Sequence, residues 1–337
     1  MRKLATALAA AGALTGVLTA GQAMAWGSDG HRVVGAIADR LIAGSAAQQR
    51  VAALLQPGES LETLAVWADC VKATAPASCG PQTEEMKAFV AANPGQAGYH
   101  YTDVPFQLEH YQDHALGTRA DDIVQILRQA IGVLQGHPEV AGNPHQFTPR
   151  QALLLVAHLV GDLHQPLHVS GAYVARDGGL GLPETRAQLK DGSFYETRGG
   201  QDLLVDAEHN LHTYWDFVLV EAVLRQAGVG AGPAAPGRFA DQVIEAGRLS
   251  LADTGAPASW PYAWADAALA VSKPALRSIA LGPRQMRTDD HGVQRPAWAV
   301  TLPPAYQTTS AEVAQRQLVQ AGYRLAGLLI ALFPPAP

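Results

Sequence analysis

The chain has 337 residues, 48 % apolar and 16 % charged, with a formal net charge of −6. That length and apolar share can bury a sizeable core in one or two domains, and they exclude a disordered or fibrous chain. The negative balance excludes electrostatic capture of nucleic acid over the whole surface, but not a local site that takes it as substrate.

Residues 1–25 read as a secretory signal. Arg2 and Lys3 give a positive start, an apolar run follows, and Ala23-Met24-Ala25 forms a cleavage site. The apolar run is short for a membrane span. Cleavage would leave Trp26 as the first residue of a single exported domain, 26–337, with no membrane segment in its mature form. The only two cysteines, Cys70 and Cys79, lie nine positions apart. In an oxidising compartment such a pair predicts one local disulfide and argues against a thiolate metal site.

Helical periodicity then recurs along the chain. It covers "GHRVVGAIADRLI" at 30–42 and "LETLAVWADCVKA" at 61–73. In "ADDIVQILRQAIGVLQ" at 120–135, Ile123, Ile126, Leu127, Ala130, Ile131 and Leu134 share one face. "TPRQALLLVAHLVGDLHQPLH" opens with Thr148 as N-cap and Pro149 in the first turn, and its helix should stop before Pro166. "NLHTYWDFVLVEAVLRQA" starts at the cap Asn210, and two more helices are predicted within 261–280 and 310–333. No run alternates well enough to predict a sheet, so the fold class is mainly α. Residues 171–208 are Gly-rich and polar, too long for an ordinary helix connection, and such loops tend to be functional or mobile. A second irregular stretch is expected at about 282–308.

The chemistry lies in histidines and carboxylates. His158 and Asp162 are four apart on a predicted helix and share a face, and His212 and Asp216 repeat the spacing on another. "ALLLVAHLVGDL" places ionisable groups in a core-facing helix, which is costly unless they are paired or bound to metal. His168 follows Pro166, His31 sits near the first helix start, Asp69 lies in "WAD" and His100 in "YHYTD". Imidazole and carboxylate without thiolate make a hydrolytic zinc ligand set.

These residues resemble the S1/P1 nucleases, secreted zinc-dependent nucleases of the all-α phospholipase C/P1 nuclease fold. The resemblance rests on "WGSDGH" at 26–31, "WAD" at 67–69, "YHYTD" at 99–103, "AHLVGDLHQPLH" at 157–168, "RGG" at 198–200 and "NLHTYWD" at 210–216, in that order. It implies a single mainly α domain holding three Zn2+ ions. Asp69, His100, His158 and Asp162 would hold one zinc. Trp26, His31 and Asp162 would hold a second, with Asp162 bridging, and His168, His212 and Asp216 would hold the third. In the family the ligands at the N-terminal Trp are its free α-amine and carbonyl oxygen. A signal cut before Trp26 would therefore complete the site only after export. A second "WAD" at 264–266 falls outside the family's ligand order, so Asp266 is not expected to be a ligand.

The resemblance also implies roles around the metals. Asp69 and Asp162 are catalytic through the zincs, and Lys72 contacts the phosphate. Tyr101 stacks on a base and Asp103 accepts hydrogen bonds from its edge. Gln201, in "GGQD" where the family has "GGN", is a displaced candidate substrate contact. The implied activity is a secreted endonuclease cleaving single-stranded DNA and RNA to 5′-phosphorylated products, with 3′-nucleotidase activity and no obligate protein partner. The alternative within the same fold is a zinc phospholipase C. Asp216, where that enzyme has Glu, favours the nuclease, as do "WD" at 215–216 and "YTD" at 101–103.

Overall fold

The structure, a computed structural model, describes residues 26–335 apart from 73–74, 76–78, 138–141, 248, 250, 252 and 290–291. The signal segment expected at 1–25 lies outside the described residues. The fold is mainly helical, with a few small sheets.

Helix α1 (Gly27–Ile42) is the central N-terminal element, burying Val33, Val34, Ala36 and Ile37. Two glycines, one in this helix and one in a helix that packs on it, set how closely it packs. A Cβ at Gly35 would lie 2.6 Å from the Leu61 carbonyl carbon, and one at Gly322 would lie 2.6 Å from Ile37 Cβ. After α2 (Ala46–Leu54), the helix expected at 61–73 divides into α3 (Leu61–Leu64) and α4 (Trp67–Cys70). The break turns the Ala65 carbonyl toward His158, whose Nδ1 it meets at 2.6 Å. The Cys70–Cys79 disulfide closes behind α4, with its Cα atoms 5.4 Å apart. Next come α5 (Glu84–Ala92) and α6 (Ile123–Leu134), the latter capped by Asp122.

Helix α7 (Pro149–His164) starts at a capping box of Thr148 and Gln151, and buries every residue from Ala152 to His164. It packs against α6 and α1 and carries the chemistry-bearing side chains into the centre. A short parallel pair, β1 (Val104–Pro105) and β2 (Ser170–Gly171), docks the segment after His100 beside the segment after His168.

The 171–208 stretch holds a small antiparallel sheet of β3 (Tyr173–Ala175), β4 (Leu180–Gly181) and β5 (Phe194–Glu196), with α8 (Ala187–Lys190) across it. It ends in β6 (Leu203–Leu204). The helix at 210 begins as α9 (Leu211–Thr213), passes through a π-helical turn (Tyr214–Leu219) and continues as α10 (Val220–Gln226). Beyond α11 (Ala235–Glu245), α12 (Trp260–Arg277) leads to a correction. The stretch expected to be irregular at 282–308 is largely a β-hairpin, β7 (Ala280–Thr288) and β8 (Gln294–Thr301). Gly282 and Pro283 interrupt its alternation and coincide with a register shift between Leu281 and Arg284. Strand β8 pairs in parallel with β6, Leu203 against Trp298, and so fastens the far end of the 171–208 loop. The last helix, α13 (Tyr306–Leu332), returns to pack along α1. Among the described residues, no helix is long and apolar enough to cross a membrane.

Candidate metal centre

Trp26 is fully buried in a left-handed backbone conformation, φ 46°, where a large side chain is strained. Its surroundings hold it there. The indole Nε1 donates to the Gly161 carbonyl at 2.8 Å, and the backbone nitrogen donates to Asp216 Oδ1 at 3.1 Å. A Cβ at Gly30 would lie 2.6 Å from Trp26 Cβ, and one at Gly27 would lie 2.8 Å from the Phe217 ring, so "WGSDGH" needs both glycines.

Four residues after Gly27, His31 stacks on His158 of α7, with ring centroids 3.8 Å apart and planes at 16°. Gly161 leaves room for that ring, since a Cβ there would stand 3.0 Å from His31 Nδ1. Asp162 sits between the imidazoles. Its Oδ1 is 3.1 Å from His31 Nε2, while its Oδ2 is 2.9 Å from His100 Nδ1 and 3.1 Å from His158 Nε2. Asp69 approaches from α4, with Oδ1 at 3.7 Å from His158 Nε2 and 3.8 Å from His100 Nδ1, and Oδ2 at 4.0 Å from His31 Nε2. On the other side, His212 Nε2 and Asp216 Oδ2 are 3.5 Å apart, and the His168 and His212 rings lie 4.7 Å apart.

Potential ligand atoms lie within 4.8 Å of one another in three groups: His31, His158 and Asp162; Asp69, His100 and His158; and His168, His212 and Asp216. All eight side chains are buried. Trp26 joins them through its backbone nitrogen, which meets Asp216 from the third group.

The fit to cations can be tested on atoms left without partners. Among the described residues, Asp69 Oδ2, Asp162 Oδ1, Asp216 Oδ2, His168 Nε2 and both ring nitrogens of His31 are buried without a hydrogen-bond partner. His31 Nε2 and Asp162 Oδ1 are close but misaligned for one. So many orphaned polar atoms in one place would be costly unless a ligand satisfied them. The electrostatics agree. Burial pushes His100 and His212 down to about 3, with Lys72 and His168 respectively adding to it, so both imidazoles are neutral donors of lone pairs. Burial lowers His31 and His168 in the same way. Burial opposes charge on Asp69 and Asp162 as well, yet Lys72 and His158 for the first, and His158 and His168 for the second, hold these carboxyls low. Asp216, with no such cation against it, is pushed well up by burial.

Several partners that orient these ligands escape sequence reading. His158, His168 and His212 direct Nδ1 to the carbonyls of Ala65, His100 and Gly199, at 2.6, 2.7 and 2.9 Å, which turns Nε2 toward the centre. Backbone carbonyls leave no signature in residue type. Gln165 Nε2 donates to Asp216 Oδ1 at 2.8 Å, and its place in "HLVGDLHQPLH" is the one clue to it.

The other expected site residues fall around this centre. Lys72 Nζ donates to Asp69 Oδ1 at 2.6 Å. Tyr101 is half-buried, with the Arg119 guanidinium 4.7 Å from its ring centroid. Arg119 also donates to the carbonyls of Gly98 and Tyr101, clamping the segment that carries His100. Asp103 is buried, and its carboxyl is pushed well up by burial and by the neighbouring Glu196. Gln201 is half-buried beyond the Gly199–Gly200 turn. His164, flanked by expected ligands, points elsewhere. Its Nδ1 donates to the Val160 carbonyl, and its Nε2 meets Arg324 at 2.9 Å. Asp266, on α12, pairs with His110 and is in none of the three groups.

Comparison with known proteins places this geometry in context. The sequence profile of the family described as S1/P1 Nuclease matches residues 26–334. A protein named Endonuclease 2 from Arabidopsis thaliana is 25 % identical over 201 residues, 58 % of this chain. The aligned part spans 56 % of that relative's length.

Proposed function

The chain belongs to the S1/P1 nuclease family, and on that premise we propose that it is an exported zinc-dependent phosphodiesterase. In this reading it is an endonuclease that cleaves single-stranded DNA and RNA to 5′-phosphorylated products and also removes the 3′-phosphate from mononucleotides. The observation that carries the reading is the convergence of five imidazoles and three carboxylates, all buried, with six of their polar atoms unpartnered. Donors of nitrogen and oxygen only, with no thiolate, suit a hydrolytic zinc site.

Three zincs are assigned. Asp69, His100, His158 and Asp162 hold one. Trp26, His31 and Asp162 hold the second, with the α-amine freed by removal of 1–25. His168, His212 and Asp216 hold the third. When bound, zinc lowers the pKa of coordinated water toward about 7 and offsets charge on a phosphodiester.

The chain's own residues do the rest. Asp162 presents one oxygen to each side and fixes the spacing between the first two groups. The carbonyls of Ala65, His100 and Gly199 hold three imidazole tautomers. Lys72, ion-paired with Asp69, stands where a phosphate oxygen arrives. Tyr101 offers a ring face for stacking, opposite the face covered by Arg119, and stacking tolerates every base. Asp103 receives the base edge, and Gln201 borders the phosphate path.

The test is the mature protein, prepared with zinc and offered single-stranded DNA, RNA, a 3′-mononucleotide and phosphatidylcholine in parallel. Cleavage of the first three, abolished by chelation and restored by zinc, is the expected result. Hydrolysis of phosphatidylcholine alone would replace this reading with a phospholipase C.

A further inference from the structure

Beside the metal centre lies a second concavity. It is a cavity of about 220 Å³ between β5 and β8, lined by Phe194, Tyr195, Glu196, Arg198, Asp202 and Arg295 among others. We infer that it is a second nucleotide subsite, holding the neighbour of the nucleotide seated at Tyr101 and Asp103 on a single strand. This rests on the nuclease reading above.

Position comes first. The chain that lines the cavity runs directly on to the candidate site. Glu196 lies against Asp103, and the Gly199 carbonyl, next to Arg198, accepts from His212 Nδ1. A strand with one phosphate at the centre therefore has its next link beside this cavity. Size is the second point. Pockets that enclose a whole small-molecule ligand run to roughly 300–1,000 Å³. A smaller, open cavity suits one residue of a longer polymer.

The lining is the third point. Phe194 and Tyr195 supply aromatic faces, and Arg284 holds the Tyr195 ring by a hydrogen bond to its hydroxyl at 2.9 Å and by stacking at 5.2 Å. Arg198 is committed to Asp202 through two bonds, at 2.9 and 2.6 Å. Among the described residues, Arg295 bonds through Nε alone, to Asp289 at 2.6 Å, and its side chain is 42 % exposed. Its remaining nitrogens form a guanidinium fork suited to a phosphate. An aromatic face beside a cation is the recurrent chemistry of single-strand binding.

Strain is the fourth point. Arg198, Gly199 and Gly200 are successive left-handed residues, with φ of 51°, 58° and 90°. A Cβ at Gly199 would collide with the Leu167 carbonyl oxygen, so the turn is pressed onto the centre. Arg198, which is not a glycine, bears the strain while its side chain lines the cavity. Such outliers persist where the surrounding structure enforces them and cluster at ligand sites.

The test compares wild type, Arg295→Ala, Arg295→Lys and Phe194→Ala on a tetranucleotide and on a 3′-mononucleotide, with unfolding curves to confirm the fold. Arg316→Ala, an exposed cation on α13, controls for lost charge. The expected result is a KM for the tetranucleotide raised roughly tenfold by Arg295→Ala or Phe194→Ala, the scale of one stacked base. The tetranucleotide's advantage over the mononucleotide should shrink accordingly. The salt slope of log KM should flatten by about 0.7 for Arg295→Ala, one single-strand phosphate contact, and return with Arg295→Lys. Wild-type cleavage of both substrates, with tetranucleotide KM and salt slope unmoved in Arg295→Ala and Phe194→Ala, would overturn the subsite and leave the nuclease reading intact. No cleavage of either substrate by wild type would sink the nuclease reading and the subsite with it.

Discussion

Replacing Gly35 by alanine tests how the first helix is held to the ligand-bearing chain. In an unconstrained helix interior the change would stabilise by about 0.5–1 kcal/mol. Here the added methyl would stand 2.6 Å from the Leu61 carbonyl carbon and 2.8 Å from Glu62 Cα, against an ordinary contact of 3.4–4 Å. Both atoms are backbone and cannot rotate away, so α1 and α3 must separate by most of an ångström. Asp39, one turn further along α1, accepts from the Leu61 and Glu62 nitrogens at 3.2 and 2.9 Å, and separation strains those bonds too. Overpacking costs about 1–3 kcal/mol, and weakening a cap of this kind costs about 1 kcal/mol more. Net of the helical gain, the expected loss is about 1–3 kcal/mol. At about 2.1 cal/mol/K per residue, each kcal/mol moves Tm by roughly 1.5 °C in a chain of this size. Calorimetry at fixed zinc concentration should therefore show Tm lower by about 2–5 °C. Gly327→Ala on α13, where nothing lies within 4 Å, should raise it slightly. His31 sits one turn before Gly35, so zinc titration of the variant should also weaken. A Gly35→Ala protein as stable as wild type, with its zinc affinity intact, would refute the packing account.

A mature protein carrying one extra residue before Trp26 should fold but lose about one zinc per chain and most phosphodiesterase activity; full activity with the extension confirmed by mass spectrometry would remove the α-amine from the ligand set. Gln165→Leu should weaken zinc binding at His168, His212 and Asp216 by about 10–100-fold, read by competition with a chelator. Arg150 bonds Glu59 at 2.7 and 2.8 Å and Glu85 at 3.2 Å. Arg150→Ala should cost about 1–2 kcal/mol by leaving two carboxylates unpaired. Burial opposes ionisation of Glu59, but Arg150 holds its carboxyl below the usual value. Its contribution is therefore complete above the unfolded value of 4.5 and is lost as pH falls through the folded one, and urea melts of wild type and variant should converge across that window. Cys79→Ser should cost roughly 2–3 kcal/mol for a closed loop of about ten residues, and thiol labelling of the folded wild type should find no free sulfhydryl.

What the residues disclosed follows where local signals and tertiary demands agree. Helix α7 begins at Thr148 and ends before Pro166 because its caps and proline act locally. The helix at 61–73 is divided at Ala65, whose carbonyl meets His158 some ninety positions away, a contact that no local signal announces. The β7–β8 hairpin was not legible, since Gly282 and Pro283 break the alternation that betrays a strand. Helices α2 and α5 are mostly exposed and bury one or two residues each, too few for a clear stripe, while the stripe of α11 is buried mainly through the small residues Ala235, Pro236 and Ala240 around Phe239. At the centre, the His-x-x-x-Asp pairs were visible because ionisable groups stood out in apolar helices. Glu196 was not, because a carboxylate in a polar loop looks like any solvated one until the fold sets it against Asp103.

Helix α1, which carries His31, packs along α13, the last helix, through the close approach of Ile37 and Gly322. Helix α1 also meets α3, α7 and α11, so α13 closes one further side of an element that its other neighbours already hold. Contacts between chain ends carry the largest loop-closure entropy and form late. The topology thus separates two kinds of contact: α7 meets its neighbour α6 over a short stretch of chain, while the two-sided arrangement around Asp162 joins α1 to α7 over a long one. A chain without α13 would keep every proposed ligand yet lose one packed face of α1, the helix that seats His31.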